Sequence, residues 1–91
     1  MNAFHLVVSS PDGALFDGEA VRLSVRGVDG DLAVMAGHIP FATLVKPCEC
    51  RIELADGRCR TGHMEGGLLS VSSHETVLLS DSLRWQPHPT A

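Results

Sequence analysis

The chain has 91 residues, which is enough for one small domain with a thin hydrophobic core and too few for two domains. Aromatic residues make up 4% of it and its formal net charge is −4, which argues against base stacking and against a phosphate-backbone partner such as a nucleic acid. No apolar run approaches the ~20 residues of a membrane-spanning helix, and no signal-peptide pattern is present at the N-terminus. The three cysteines are too few for a disulfide framework, so we expect a reducing compartment.

Short segments with a hydrophobic period of two dominate the predicted elements. The segment Val21–Arg26 is typical, because three apolar residues alternate with Arg, Ser and Arg, as in a half-buried strand. In chain order the predicted strands are Phe4–Val8, Val21–Arg26, Leu32–Met35, Cys48–Leu54, Leu68–Val71 and Thr76–Ser80. No window shows helical periodicity, and strands at spacings of ~8–12 residues predict an antiparallel sandwich or barrel.

Asp-Gly pairs separate these strands. Each pair tolerates the positive φ that tight hairpin turns need, so each predicts a hairpin or a tight turn. The four pairs are Asp12–Gly13, Asp17–Gly18, Asp29–Gly30 and Asp56–Gly57. At the end of the chain, Pro87 and Pro89 argue against a regular helix. We therefore expect one all-β domain, a sandwich or a barrel, over residues 1–83 and a short C-terminal tail over residues 84–91.

The search for catalytic residues is negative. The chain has no nucleophile elbow, no phosphate-binding glycine loop and no His-Glu-X-X-His motif, and Ser9 and Ser10 before Pro11 are typical of turns. We expect no catalytic residue, no cofactor site and no metal site.

A metal-binding module is a weak alternative. If Asp56–Gly57 closes a two-residue hairpin, Cys50 lies opposite His63 and Cys48 lies opposite Glu65, and such a face could bind zinc. The Cys-X-Cys spacing is uncommon at structural zinc sites, and buried free cysteine usually packs as a small hydrophobe.

Three ordered blocks resemble the N-terminal domain of the epsilon subunit of F-type ATP synthases. The first is HLVVSSPDGALFDGE from His5 to Glu19, and the second is GVDGDLAVMAGHIPFATLVKP from Gly27 to Pro47. The third consists of GGLLSV and TVLLSD within residues 66–81. The Gly-His-X-Pro motif of the second block is unspecific alone, but its place between the other two is specific.

The resemblance implies an all-β, antiparallel two-sheet β-sandwich of about ten short strands. It also implies a non-catalytic subunit of the central stalk that binds the gamma subunit and the c-ring, so that ion translocation is coupled to ATP synthesis. The chain would then lie at the cytoplasmic face of the bacterial plasma membrane, held there only through the complex.

The resemblance further implies two contact segments. The segment Val28, Asp29, Gly30 and Asp31 would face the polar loops of the c-ring, with Asp31 as the charged contact. A second segment would face the gamma subunit and the ring, and it consists of His38, Ile39, Pro40, Phe41 and Thr43.

The chain departs from the family pattern at several positions. Ala33 and Cys48 replace usual glycines, Ala36 replaces a usual proline, and Asp31 shortens a usual glutamate, so we expect altered backbone near the first three. In the common family form two helices follow the sandwich, and they carry inhibition and, in some members, a nucleotide site. Here the prolines stand where those helices would begin, so we expect no ATP binding and either a natural short form or a fragment ending at a domain boundary.

Two further classes remain as alternatives. Biotinyl or lipoyl carrier domains are also small all-β sandwiches, and they present a lysine at a hairpin tip; Lys46 is the one lysine here, but it lacks the usual flanking residues. A small metal-binding cupin-like barrel would need a His and carboxylate grouping that His38, His63 and Glu65 do not clearly provide.

Overall fold

The computed structural model of the chain describes residues 2–86, and its regular structure consists entirely of strands. The expected all-β fold of about ten short strands is confirmed. The ten strands are β1 (Phe4–Ser10), β2 (Gly13–Ala20), β3 (Arg22–Gly27), β4 (Gly30–Val34), β5 (Phe41–Val45), β6 (Cys48–Glu53), β7 (Cys59–Met64), β8 (Gly67–Val71), β9 (Thr76–Leu79) and β10 (Arg84–Trp85).

The strands form one continuous, curled hydrogen-bonded sheet in the order β10-β7-β6-β3-β5-β8-β9-β1-β2, with β4 paired to β3. One half contains β10, β7, β6, β3 and β4, and the other contains β5, β8, β9, β1 and β2. All pairings are antiparallel except that of β1 with β9, which is parallel. β9 itself pairs with β8 in the antiparallel direction on its other side.

The two halves are joined at a corner along β3. Residues Arg22–Ser24 of β3 pair with β6, whereas Gly27 pairs with Val45 of β5, so β5 and β6 lie end to end against one strand. At the corner the Lys46 N–H donates to the Arg26 carbonyl at 2.8 Å, and the Arg26 N–H donates to the Cys48 thiol sulfur at 3.4 Å. The sheet therefore bends without breaking its hydrogen-bond ladder.

The core is a single cluster to which both halves contribute. Alternation along the strands turns one side chain in two inward, as the period of two predicts. Its fully buried large side chains are Leu6, Val8, Leu23, Val34, Cys50, Ile52, Met64, Leu69 and Leu78.

Three of the four Asp-Gly pairs form turns. Gly13, Gly30 and Gly57 have positive φ, whereas Asp17 and Gly18 lie inside β2 opposite Val7 and Leu6, so the turn predicted there is wrong. Within residues 2–86 positive φ is confined to glycines. Ala33, Ala36 and Cys48, which stand where the family has glycine or proline, therefore all lack positive φ.

The sheet extends past Leu83, where a tail was expected to begin. Arg84 and Trp85 form β10 and pair with His63 and Gly62 of β7. The remainder of the expected tail, residues 87–91, lies outside the described residues.

The two ends of the sheet meet through Arg60 on β7. Its guanidinium carbon lies 4.1 Å from the centroid of the Trp85 ring and 5.9 Å from that of Phe16 on β2, which are cation–π distances. Arg60 thus bridges the first and last strands of the hydrogen-bonded order.

Candidate interaction surface

Leucines from three neighbouring strands form an exposed row on the outer face of the sheet. Leu44 on β5 lies opposite Leu68 on β8, which in turn lies opposite Leu79 on β9. Their exposed fractions are 60%, 39% and 44%. Val28, which is 45% exposed, extends the row because its N–H donates to the Leu44 carbonyl at 3.2 Å. We call Val28, Leu44, Leu68 and Leu79 the apolar row.

The apolar row follows from doublets of hydrophobic residues in the sequence. Successive side chains of a strand point to opposite faces, so a doublet fills the core with one member and exposes the other. Leu69 and Leu78 are fully buried, while their neighbours Leu68 and Leu79 are exposed. The three leucines span three strands, or about 10 Å at ~4.8 Å per strand, and Val28 follows in the β3–β4 turn. Contiguous apolar surface of this kind marks interaction sites.

Small and polar residues surround the apolar row. A shallow depression of about 520 Å³ contains the three leucines of the row together with Ser9, Ser10, Pro11, Gly66, Gly67, Ser80 and Asp81. The Ser80 hydroxyl donates to the Gly66 carbonyl at 3.0 Å, which ties the end of β9 to the start of β8. At Gly67 a Cβ would collide with the Leu79 carbonyl oxygen, so only glycine fits there.

The first predicted contact segment, Val28–Asp31, covers the exposed turn between β3 and β4 and the first two residues of β4. Asp31 lies opposite Arg26, and the Arg26 Nε–H donates to the Asp31 carboxylate at 2.9 Å. This hydrogen bond raises the pKa of Arg26. The predicted charged contact therefore presents a paired carboxylate.

The second predicted contact segment lies at the other end of β4. His38, Ile39 and Pro40 are exposed, and Ile39 is 75% exposed. Among the described strands β4 pairs only with β3, so its other side is a free sheet edge. The two contact segments lie at the two ends of this edge, which is about 13 Å long at ~3.3 Å per residue. The structure does not bring the two segments into one cluster.

His38 is exposed and is also held in place by its own turn. Its Nδ1–H donates to the Ile39 carbonyl at 3.0 Å. Its ring also packs against Phe41 with centroids 4.8 Å apart. The turn itself is closed by the His38 N–H, which donates to the Met35 carbonyl at 3.2 Å.

The last two residues of the second segment are less available. Phe41 and Thr43 are half-buried, and Phe41 packs against the core. They alternate with the exposed residues Ala42 and Leu44, so a partner on the outer face of β5 meets those two side chains instead. Sequence reasoning missed Leu44, Leu68 and Leu79. The signal was the apolar doublets Leu44-Val45, Leu68-Leu69 and Leu78-Leu79, because the two members of a doublet cannot both face the core.

The possible zinc face does not form. Residues 54–58 connect β6 to β7, and the Leu54 N–H donates to the Arg58 carbonyl at 2.8 Å, which leaves a three-residue loop, Ala55–Gly57, between that pair. Cys50 therefore lies opposite Gly62, and His63 lies opposite Glu49.

This one-residue shift places the proposed ligands on opposite faces. His63 is exposed and hydrogen-bonded to Glu65 at 3.1 Å, whereas Cys50 is fully buried and its burial raises the pKa of the thiol to about 12. Among the described residues, no group of three or more His, Cys, Asp or Glu side chains is placed to hold a metal ion.

Lys46 does not occupy a hairpin tip as in a carrier domain. It lies at the corner between β5 and β6, where its backbone bonds to Arg26. Residues 2–86 also contain no helix that is long and apolar enough to cross a membrane.

Comparison with known families adds a match over nearly the whole chain. Residues 3–86 match the model of the beta-sandwich domain of the ATP synthase delta/epsilon chain. The chain is 34% identical over 82 residues to the sodium ion specific ATP synthase epsilon chain of Acetobacterium woodii, covering 90% of this chain and 62% of that relative. It is 38% identical over 82 residues to the ATP synthase epsilon chain of Verminephrobacter eiseniae, covering 90% of this chain and 59% of the relative. The chain thus spans less than two thirds of these relatives' length.

Solved structures show the same fold at low sequence identity. A chain in the cryo-EM structure of the Euglena gracilis mitochondrial ATP synthase, OSCP/F1/c-ring in rotational state 1, matches with a TM-score of 0.85 at 16% identity, over 91% of this chain and 53% of that one. A chain in the cryo-EM structure of the Tetrahymena thermophila mitochondrial ATP synthase, central stalk/c-ring, matches with a TM-score of 0.73 at 12% identity, over 88% of this chain and 64% of that one.

Proposed function

The chain belongs to the family of ATP synthase delta/epsilon chain beta-sandwich domains, and on that premise we propose that it is a non-catalytic rotor subunit of an F-type ATP synthase. In this role it binds the gamma subunit and the c-ring, and it helps to couple ion translocation to ATP synthesis. It carries no active site of its own. It lies at the cytoplasmic face of the plasma membrane through the complex.

The apolar row is the observation that carries this proposal. A folded domain gains nothing by exposing Leu44, Leu68 and Leu79 side by side, whereas a partner gains by covering them. Covering the exposed part of each leucine is worth about 1 kcal/mol. We assign the gamma subunit to the three leucines of the apolar row.

The apolar row alone is too small for a stable complex. Its few kcal/mol do not offset the cost of association, which is about 4–15 kcal/mol. Further contacts must contribute, and the exposed segments at the two ends of β4 are the candidates.

We assign the c-ring to the β3–β4 turn at Val28, Asp29, Gly30 and Asp31. Two exposed carboxylates there suit the polar loops of a partner, and Val28 connects this turn to the apolar row. We assign the segment of His38, Ile39, Pro40, Phe41 and Thr43 to the gamma subunit and the ring, with His38–Pro40 making the contact because the other two are half-buried.

Co-expression with the gamma subunit of the same genome tests the proposal. The complex should co-elute in size-exclusion chromatography at micromolar concentration. Separate elution of the two folded proteins would contradict it. Addition of the c-ring to a stable binary complex then tests the ring contact on its own.

A further inference from the structure

His5 connects three elements at one end of the sandwich. It lies on β1, and its Nε2 is 2.6 Å from a carboxylate oxygen of Asp17 on β2. Its Nδ1 is 3.6 Å from a carboxylate oxygen of Glu75 in the turn between β8 and β9. Both ring nitrogens of one imidazole therefore face carboxylates from different elements.

The surroundings of His5 are acidic. Glu19 lies directly opposite it on β2, so the groups that face the ring are Asp17, Glu19 and Glu75. The hydrogen bond to Asp17, together with the charges of the three acids, raises the pKa of His5. The doubly protonated ring donates a hydrogen bond to Asp17 and attracts the Glu75 carboxylate as an ion pair, whereas the neutral ring carries no charge to attract Glu75.

The Glu75 contact borders a cavity of about 500 Å³. Residues Ser72–Thr76 form one side of the cavity and Met35–His38 form another. The turn Ser72–Glu75 is closed by its own hydrogen bonds, since the Ser72 N–H donates to the Glu75 carbonyl at 2.9 Å. His5 is thus placed to hold a preformed turn against β1.

We propose that His5, Asp17 and Glu75 form a proton-dependent brace, which fastens the β8–β9 turn to β1 and β2 when the imidazole is charged and releases that turn when it is neutral. The brace is a property of the domain itself and does not depend on its partners. The sign follows from linkage, because a raised pKa in the folded state means that the contribution is complete below pH 6.5 and is lost as the pH rises through the folded-state value.

NMR titration of the His5 ring in the full chain tests the brace, with the resonance assigned from a His5→Gln variant. Asp17→Asn and Glu75→Gln should each lower the pKa of His5 relative to the wild type, and Asp17→Asn should do so more because its contact is shorter. Glu65→Gln is the matched control, since Glu65 contacts His63 and not His5. If both acid variants titrate His5 as the wild type does, the brace is refuted.

Thermal unfolding supplies a second measurement. Between pH 6 and pH 9 the Tm of the wild type should fall further than that of Glu75→Gln, by about 1–4 °C for an exposed pair in a domain of this size. Glu75→Gln keeps the size of the side chain and the exposed turn, so it folds even if His5→Gln does not. An equal fall in both proteins would overturn the proposal.

Discussion

Leu44 lies directly opposite Leu68 across the β5–β8 ladder, and both side chains point to solvent, whereas their neighbours Val45 and Leu69 are buried. Alternate residues of this one ladder therefore serve two purposes, stability on the inner face and binding on the outer face. Its inner residues hold the domain together, and its outer residues are available to a partner. Substitutions on the two faces should accordingly affect different measurements.

Leu68→Glu should abolish binding to the gamma subunit while leaving the fold intact. A carboxylate in the middle of the apolar row would lose its water on binding and gain no opposite charge in return, which costs several kcal/mol. Ser70→Glu is the matched control, because Ser70 is exposed on the same face of β8 two residues away. Size-exclusion chromatography with gamma measures the effect. Equal loss of binding in both variants would show that the row is not the contact.

Leu69→Ala should lower the free energy of unfolding by about 2–5 kcal/mol, because it leaves a cavity in the core. Leu68→Ala on the same strand should lower it by less, about 1 kcal/mol, since Leu68 is already 39% exposed to solvent and leaves no closed cavity. Urea unfolding followed by circular dichroism compares the two. Similar losses would contradict the assignment of the two faces.

Gly67→Ala should destabilise the domain by about 2 kcal/mol or more, because the new Cβ would collide with the Leu79 carbonyl oxygen, which belongs to the backbone. Gly18→Ala is the control, since its Cβ would meet only the edge of the Phe16 ring at 3.5 Å. Thermal unfolding of both variants checks this prediction. It fails if Gly18→Ala proves as damaging as Gly67→Ala.

The Cys50 thiol should resist alkylation in the folded protein. Burial raises its pKa to about 12, so only about one thiol in 10⁴ is ionised at pH 8. Iodoacetamide labelling followed by peptide mass spectrometry should find Cys48 and Cys59, which are half-buried, modified before Cys50. Early modification of Cys50 in folded protein would contradict its burial.

The same pKa predicts a stability change at high pH. The unfolded chain releases the Cys50 proton near pH 9 and the folded chain near pH 12, so the free energy of unfolding should fall as the pH rises above 9. Cys50→Ala should reduce this dependence. Urea unfolding between pH 8 and pH 10.5 measures it, and an unchanged slope in the variant would exclude Cys50 as the cause.

Asp31→Asn should impair coupling more than folding. Asp31 and Arg26 are both largely exposed, so their ion pair adds little to stability, and the Tm should change little. If the turn contacts the c-ring, the reconstituted complex should hydrolyse ATP normally but pump ions less well. Asp12→Asn, in the exposed β1–β2 turn, is the control. Unchanged pumping in Asp31→Asn would remove that residue from the contact.

Strand periodicity was sufficient to predict the class of fold, but the register of one hairpin was beyond it. Asp56–Gly57 suits both two-residue and three-residue hairpin loops, and the choice is made by Leu54 and Arg58, which pair across the loop. A shift of one residue exchanges the faces of β7, and His63 then points away from Cys50. The residues of the loop alone do not determine which of the two loop lengths forms.

The apolar row was missed for a related reason. Leu68-Leu69 and Leu78-Leu79 were recognised as strand segments, but a doublet does not say which member faces inward. That is decided by the partners of the strand, because Leu69 and Leu78 pair with each other next to the core residue Val8. Likewise Asp17–Gly18 lies in a strand and not in a turn, because Val7 and Leu6 of β1 pair with these two residues.

The corner at Lys46 and Pro47 has a mechanical consequence. β5 carries Leu44, and β6 belongs to the other half of the sheet, yet two residues of covalent chain separate them and both strands are bonded to β3. A torque applied at Leu44 is therefore transmitted along the backbone and across hydrogen bonds into β6, β7 and β10. Because this path consists of backbone and hydrogen bonds, we expect the two halves of the sheet to twist together.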